Sequence, residues 1–184
     1  MINVKDFYKE RLAEQDNTLC FKTTPLSKVF FLSLLSCGIY DIIFVLNYWK
    51  TLKDHFDIKI SPFWRGLFVP LTNFKLFPVL SLYFKKYNIS FNATLLAWIY
   101  FIVSYISTKV DIKSLKFETT NWTYEIISLS FILASTLIMV FVQHKINKVN
   151  YENFPDAPKN PWKASNIIWF IILLSCTVLV YLPS

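Results

Sequence analysis

Five apolar stretches, at residues 28–49, 62–84, 91–109, 122–142 and 166–182, follow one another along the chain with short polar, basic segments between them. Three are uninterrupted: FNATLLAWIYFIVSYISTK, WTYEIISLSFILASTLIMVFV and NIIWFIILLSCTVLVYL. At a rise of about 1.5 Å per residue, helices of that length match a hydrocarbon core of roughly 30 Å. They are expected to be transmembrane helices. Trp122, Tyr124, Trp162, Trp169 and Tyr181 fall towards the segment ends, where amphipathic rings suit the membrane–water boundary.

The first two stretches are broken. In SKVFFLSLLSCGIYDIIFVLNYWKTLK, Cys37 and Gly38 interrupt the run, Asp41 follows the break, and Asn47, Trp49 and Lys50 end it. A carboxylate at the centre of a spanning helix costs about 2.5–3.5 kcal/mol on insertion scales. Either the segment spans with Asp41 facing the protein interior, or it turns at Gly38 and returns as an interfacial helix ending at Trp49. The second stretch opens on Ser61 and Pro62, a capping residue followed by a proline suited to the first helical position. Trp64 and Arg65 sit at its head, and Pro70, Lys75 and Pro78 punctuate it. Both stretches have basic residues on both flanks, which favours re-entrant elements over simple spans.

The expected fold is therefore all-α: a polytopic helical membrane protein with three clear transmembrane helices and two broken or re-entrant segments, nominally five. Residues 1–27 read as a cytoplasmic amino-terminal arm and residues 28–184 as one membrane domain. Within the arm, residues 3–15 place Val4, Phe7, Tyr8 and Leu12 on one helical face. Residues 18–26 form an extended approach ended by Pro25. The first 26 residues contain neither an apolar core nor a small-residue cleavage site, so no cleavable signal peptide is expected. Beyond residue 142 the helix is expected to continue to about Asn150, until Pro155, Pro158 and Pro161 stop it.

Composition agrees. The 184 residues are 54% hydrophobic and 18% aromatic, and mean hydropathy is +0.41, more apolar surface than a soluble domain of this size can hide. The net charge of +7 lies between apolar runs rather than on a soluble face, which speaks for a bilayer and against nucleic acid. With both broken stretches re-entrant, fifteen Lys and Arg lie inside against three outside; with all five spanning, the split is eleven to seven. Both arrangements put the amino terminus in the cytoplasm and the carboxyl terminus outside. His144, Lys145 and Lys148 are placed to meet anionic headgroups. Cys20, Cys37 and Cys176 are odd in number and widely spaced, so neither a disulfide framework nor a zinc site is expected. With only Gly38 and Gly66 in the chain, Gly-x-x-x-Gly packing is excluded.

Three pieces, PLSKVFFLSLLSCGIYDIIFVLNYWKTLK, KISPFWRGLFVPLTNFKLFP and QHKINKVNYENFPDAPKNPWKASNIIWFII, share a set of features. These are a Gly-x-Tyr break, an Asn-x-Trp-Lys ending, a Ser-Pro-Phe-Trp-Arg start, and Asn147 and Asn150 ahead of an Asp-Ala-Pro-x-Asn run. In these the chain resembles uncharacterised bacterial multi-pass inner-membrane proteins over most of residues 25–175. The resemblance implies an inner-membrane location and the same architecture. It implies no activity.

Catalytic chemistry has no visible seat. His55 and His144 are the only histidines, and no H-E-x-x-H motif, phosphate loop, paired-Cys spacing or G-x-S-x-G elbow occurs. No enzyme, metal or cofactor is expected. Asp41 and Lys75 are the candidates for an ion or substrate path, because intramembrane ionisable groups often mark one. Gly38, Asn47, Trp49, Ser61, Pro62, Trp64, Arg65, Asn147, Asn150 and Trp162 are read as interfacial or structural, the asparagines capping helices or bonding across the cytoplasmic interface. The expected role is a structural or accessory protein that contacts lipid and a membrane-protein partner or a second copy of itself. The alternatives are a small transporter or channel using Asp41 and Lys75, and a membrane-perturbing defence or lysis effector.

Overall fold

Left-handed turns and prolines mark where the helices begin and end in the structure, a computed structural model that describes residues 19–36, 38–117 and 122–181 together with Tyr8 and Glu10. Seven helices occupy these residues: α1 (Leu26–Leu35), α2 (Ile39–Phe56), α3 (Pro62–Leu67), α4 (Val69–Lys86), α5 (Ala93–Phe117), α6 (Trp122–Asn153) and α7 (Ala164–Tyr181). The all-helical expectation holds for the described residues; their only β feature is an isolated parallel bridge between Thr23 and Lys159. Tyr8 and Glu10 are helical. The rest of the helix expected over residues 3–15, Cys37, and the side chains of Lys113, Lys116, Trp122, Tyr124, Glu125, Cys176 and Tyr181 lie outside the described residues.

The first broken stretch is two helices joined at Gly38, whose φ of 88° is left-handed. Ser36 holds the joint: its hydroxyl donates to the Ser33 carbonyl (3.3 Å) and accepts from the Tyr40 amide (2.9 Å). The second stretch breaks at Phe68, between α3 and α4, rather than at a proline. Pro70 lies in the first turn of α4, where its missing N–H loses nothing. Pro78 sits inside α4 without ending it. The Thr72 hydroxyl donates to the Arg65 carbonyl at 2.6 Å and so ties the two helices across the break. Ser61 makes no side-chain cap and is exposed; α3 starts on Pro62 alone. Asn92, not anticipated, caps α5 by accepting the Leu95 amide at 3.1 Å.

Helix α6 is central, packing on α1, α5 and α4, while α2 packs chiefly on α3. The core collects at one end of the molecule. There Phe21 lies edge-on to Tyr48 (5.3 Å) and Tyr83 (5.1 Å), with Trp49, Leu52, Leu80, Phe84 and Ile146 fully buried around it. Towards the other end packing stops. No residue is buried from Phe101 to Lys109 of α5 or from Ile126 to Ala134 of α6. On α7, Ile167, Ile168, Trp169, Ile171 and Ile172 are all exposed.

Only one helical stretch among the described residues, Ile126–Asn153, is by itself long and apolar enough to cross a membrane, and just 28% of its apolar window is buried. A soluble protein's core helix would be mostly covered. Shorter apolar helices cover Leu26–Leu35 and Ala93–Lys109.

The two glycines answer to different constraints. At Gly38 a side chain would meet no atom within 4 Å, so only the backbone conformation resists substitution, by about 1–2 kcal/mol for most residues and less for Asn. At Gly66 an added Cβ would lie 2.9 Å from Leu46 Cβ and 3.1 Å from the Ile42 carbonyl, wedging α3 off α2. Thermal unfolding in detergent should therefore rank the variants oppositely. Gly38→Asn should be milder than Gly38→Ala, whereas Gly66→Asn should be worse than Gly66→Ala. The same ranking at both sites would contradict the assignment.

Candidate functional site

The polar groups of the interior gather where the extended segment 19–25 crosses α6. A segment in that position has backbone donors and acceptors with no sheet or helix to take them, and buried backbone groups must be paired. Gln143, Asn147 and Asn150 supply the partners. Their spacing of i, i+4 and i+7 puts all three on one face of α6. The Asn147 side chain pairs with the Thr24 peptide as a neighbouring strand would, accepting its N–H at 3.2 Å and donating to its carbonyl at 2.8 Å. Asn150 donates to the Phe21 carbonyl (2.7 Å) and to Thr23 Oγ1 (2.8 Å). Gln143 donates to the Lys22 carbonyl (3.1 Å) and to Asn147 Oδ1 (2.7 Å), and accepts the Tyr48 hydroxyl at 2.8 Å.

The opposite edge of the segment meets the loop after α6. Thr23 donates to the Pro158 carbonyl (2.9 Å), and its own carbonyl accepts from the Asn160 amide (2.8 Å). Lys28, almost wholly buried, closes the clasp by donating to Asn160 Oδ1 (3.0 Å) and to the Pro161 carbonyl (2.9 Å). Neutral oxygens thus solvate this ammonium in place of water. Beside the clasp, a cavity of about 20 Å³ between Lys22, Thr24, Asn47, Tyr48 and Gln143 has room for a single water molecule.

A second polar locus lies at the α1–α2 joint. Asp41, 2% exposed, accepts the Tyr100 hydroxyl at Oδ2 (3.0 Å). Ser33 approaches the carboxyl group from α1, yet neither the Ser33 hydroxyl nor Asp41 Oδ1 has a hydrogen bond among the described residues. Lys75 is exposed on α4, and the two candidates for a transport path form no ion pair; the one ion pair among the described residues is the exposed Lys148–Glu152 at 3.8 Å.

The remaining candidates scatter. Trp49 is buried beneath the Arg65 guanidinium, 4.1 Å from the ring centre, a cation–π contact at the α2–α3 seam. Tyr8 also engages Arg65 and packs edge-on to Phe56 at 5.5 Å. Trp64 and Asn47 are exposed. Trp162, half-buried, donates to Ser27 Oγ at 3.5 Å. Asn47 neither caps nor crosses, whereas Asn147 and Asn150 bond across the packed end to a chain segment more than 120 residues away.

Nothing in these groups assembles into a reaction centre. Among the described residues no three His, Cys, Asp or Glu side chains converge. His55 is half-buried against Phe56, and burial together with Lys86 pushes it below the ordinary imidazole range. A groove of about 520 Å³ at the α4–α5 turn is open and lined by Pro78, Ser81, Leu82, Ser90, Phe91, Asn92, Ala93 and Thr94, none of them ionisable. No protein-family model matches the chain, and no curated protein or solved structure is similar to it.

Removing the Asn147 amide orphans both the N–H and the C=O of Thr24, at about 1–3 kcal/mol for each unpaired buried group. Asn147→Ala should therefore lower the unfolding midpoint clearly in detergent, and exposed Asn47→Ala should leave it nearly unchanged. Equal midpoints would show that the clasp carries no stability.

Proposed function

We propose that the protein is a multi-pass membrane protein with no catalytic role, which acts by contact: a rigid cytoplasmic-end platform carrying helices that present apolar faces to lipid and to a membrane-embedded partner. The observation that carries this reading is the composition of the outer surface. Ile126, Leu129, Leu133 and Leu137 of α6, Leu95, Trp98 and Ile102 of α5, and the isoleucines of α7 are all exposed. A monomer in water does not display apolar area on that scale. Hydroxyls on the same surface turn inward to their own helices: Thr108 donates to the Ser104 carbonyl, Ser130 to Ile126 and Ser175 to Ile171, at 2.7–2.9 Å. In hydrocarbon a hydroxyl has no water to bond, and back-bonding four residues earlier satisfies it.

The basic residues that bound the apolar stretches support the orientation. Lys145 lies over Phe141 (5.2 Å) where α6 turns polar, and Lys109 over Tyr105 (5.4 Å) on α5. In this reading the clasp end is cytoplasmic and faces anionic headgroups, the carboxyl terminus is outside, and the membrane is the bacterial inner membrane. Membership of the uncharacterised multi-pass family belongs to the same proposal. A transport role has one observation in its favour, the buried Asp41, but Lys75 does not join it.

Spin labels at Leu129, Leu133 and Ile168 of the reconstituted protein should be relaxed by oxygen dissolved in lipid, and labels at Lys53 and Tyr151 by aqueous nickel chelate. Uniform nickel access would remove the membrane reading. A photo-crosslinker at Ile168 should yield one discrete protein adduct in native membranes; adducts to lipid alone would remove the contact role.

A further inference from the structure

Both broken stretches leave the clasp end of the molecule and come back to it. Gln143 of α6 bonds the Lys22 carbonyl and the Tyr48 hydroxyl, so the chain ahead of α1 and the middle of α2 meet α6 at one level. Between them α1 runs along α6 and the chain reverses at Gly38. The second stretch repeats this course. It sets out from the end of α2, where His55 faces Lys86. Helix α3 then carries Gly66 against Ile42 and Leu46, near the start of α2. The chain reverses again at Phe68, and α4 returns Tyr83 to Phe21 beside the clasp.

Helix α5 gives the depth of the two reversals. Its apolar part runs from Ala93 to Lys109. Tyr100, near the middle of that run, bonds Asp41 beside the first reversal, and Trp98 packs edge-on to Phe74 of the second hairpin. Past Tyr100 the hairpins cover nothing, and no residue of α5 from Phe101 to Lys109 is buried. The outgoing arms are short: α1 has 10 residues and α3 has 6. At the rise of an α-helix they reach about 15 Å and about 9 Å, no more than half of a hydrocarbon core of roughly 30 Å.

The two apices are apolar. Ile39, Ile43, Leu67, Phe68 and Leu71 lie at or within a turn of them and are all exposed. The hydroxyls nearby turn inward, Ser36 to the Ser33 carbonyl and Thr72 to the Arg65 carbonyl. At the other ends of α2 and α4, Lys50, Lys53, Lys85 and Lys86 are exposed, where anionic headgroups complement them. Lys75, exposed between apex and clasp end, has a stem long enough to carry its charge towards the same level.

We propose that the two hairpins enter one leaflet only, from the clasp side, as a wedge whose apices rest near the bilayer midplane. Among the described residues, α5, α6 and α7 alone continue into the other leaflet. Seven helices then displace lipid on the clasp side and three on the opposite side. Apolar area inserted into one side of a bilayer makes binding sensitive to curvature. The favoured surroundings are therefore membrane that bulges towards the clasp side. This inference rests on the membrane reading above and adds to it the shape of membrane that the protein seeks.

The full chain, labelled and reconstituted into giant vesicles of phosphatidylcholine and phosphatidylglycerol, tests this by its distribution between the flat wall and a thin tether pulled from it. Molecules with the clasp end outward should be enriched in the tether, and those with it inward depleted. The double variant Ile43→Ser, Leu71→Ser changes exposed side chains alone, so it should shrink the enrichment and keep the unfolding midpoint in detergent. Spin labels at Ile39 and Phe68 should be relaxed by oxygen dissolved in lipid. A label at Lys53 should meet nickel chelate from the same side of the membrane as one at Tyr151. Nickel access at Ile39 and Phe68, with oxygen access kept at Leu129 and Leu133, would overturn the wedge and leave the membrane reading standing. Nickel access at all four would remove both. Equal density of clasp-outward molecules in tether and wall would overturn the proposal, as would access to Lys53 and Tyr151 from opposite sides.

Discussion

The pairing of the Asn147 side chain with the Thr24 peptide is the contact on which the remaining structure depends. It settles the position of an extended segment that has no sheet to join. With Thr24 fixed, Phe21 drops between Tyr48 and Tyr83, and Pro25 starts α1 alongside α6. The same segment then offers its other edge to residues 158–160, which anchors the loop leading to α7. Three amides on one face of α6 thus tie the extended segment and Tyr48 of α2 to that helix. Side-chain amides suit the task because each carries a donor and an acceptor in the geometry of a peptide group.

Much of the architecture was legible. The break at Gly38, the start at Pro62, and the extension of α6 beyond residue 142 all follow from local chemistry that a linear reading captures. Local rules also misled. Pro78 was expected to interrupt its helix and does not, and the real break falls at Phe68, a residue with no breaking character of its own. Ser61 has the identity of a cap without the hydrogen bond. The site was harder to read because its partners are distant: Asn147 and Thr24 are separated by 123 positions. The i, i+4, i+7 run of Gln143, Asn147 and Asn150 was a visible signal, since three amides on one helix face beside an apolar core need acceptors and donors from elsewhere. Tyr100 gave no such sign, being one aromatic in an apolar run.

The interior polar groups lie beside the packed hydrophobic core, and large apolar side chains are exposed where packing stops. Hydrophobic burial alone does not specify a fold when the surroundings are also apolar, and hydrogen bonds and close steric contacts then take a larger share. Here that share is concentrated at one end, in the clasp, the Trp49–Arg65 contact and the tight approach of Gly66 to α2. Asp41 belongs to the same economy: Tyr100 and Ser33 reach it from two helices, and its side chain marks the joint around which α1 and α2 diverge. The apolar faces of α5, α6 and α7 stay exposed, and on the proposed reading they meet lipid and a partner.

Amide hydrogen exchange of the protein in nanodiscs tests the central claim most directly, because an extended segment near a terminus ordinarily exchanges at once. The clasp predicts that the amides of Thr23, Thr24 and Asn160 exchange as slowly as those of the buried part of α6, and that Asn147→Ala abolishes the protection of Thr24. Exchange of these amides at the rate of an unstructured peptide would contradict it.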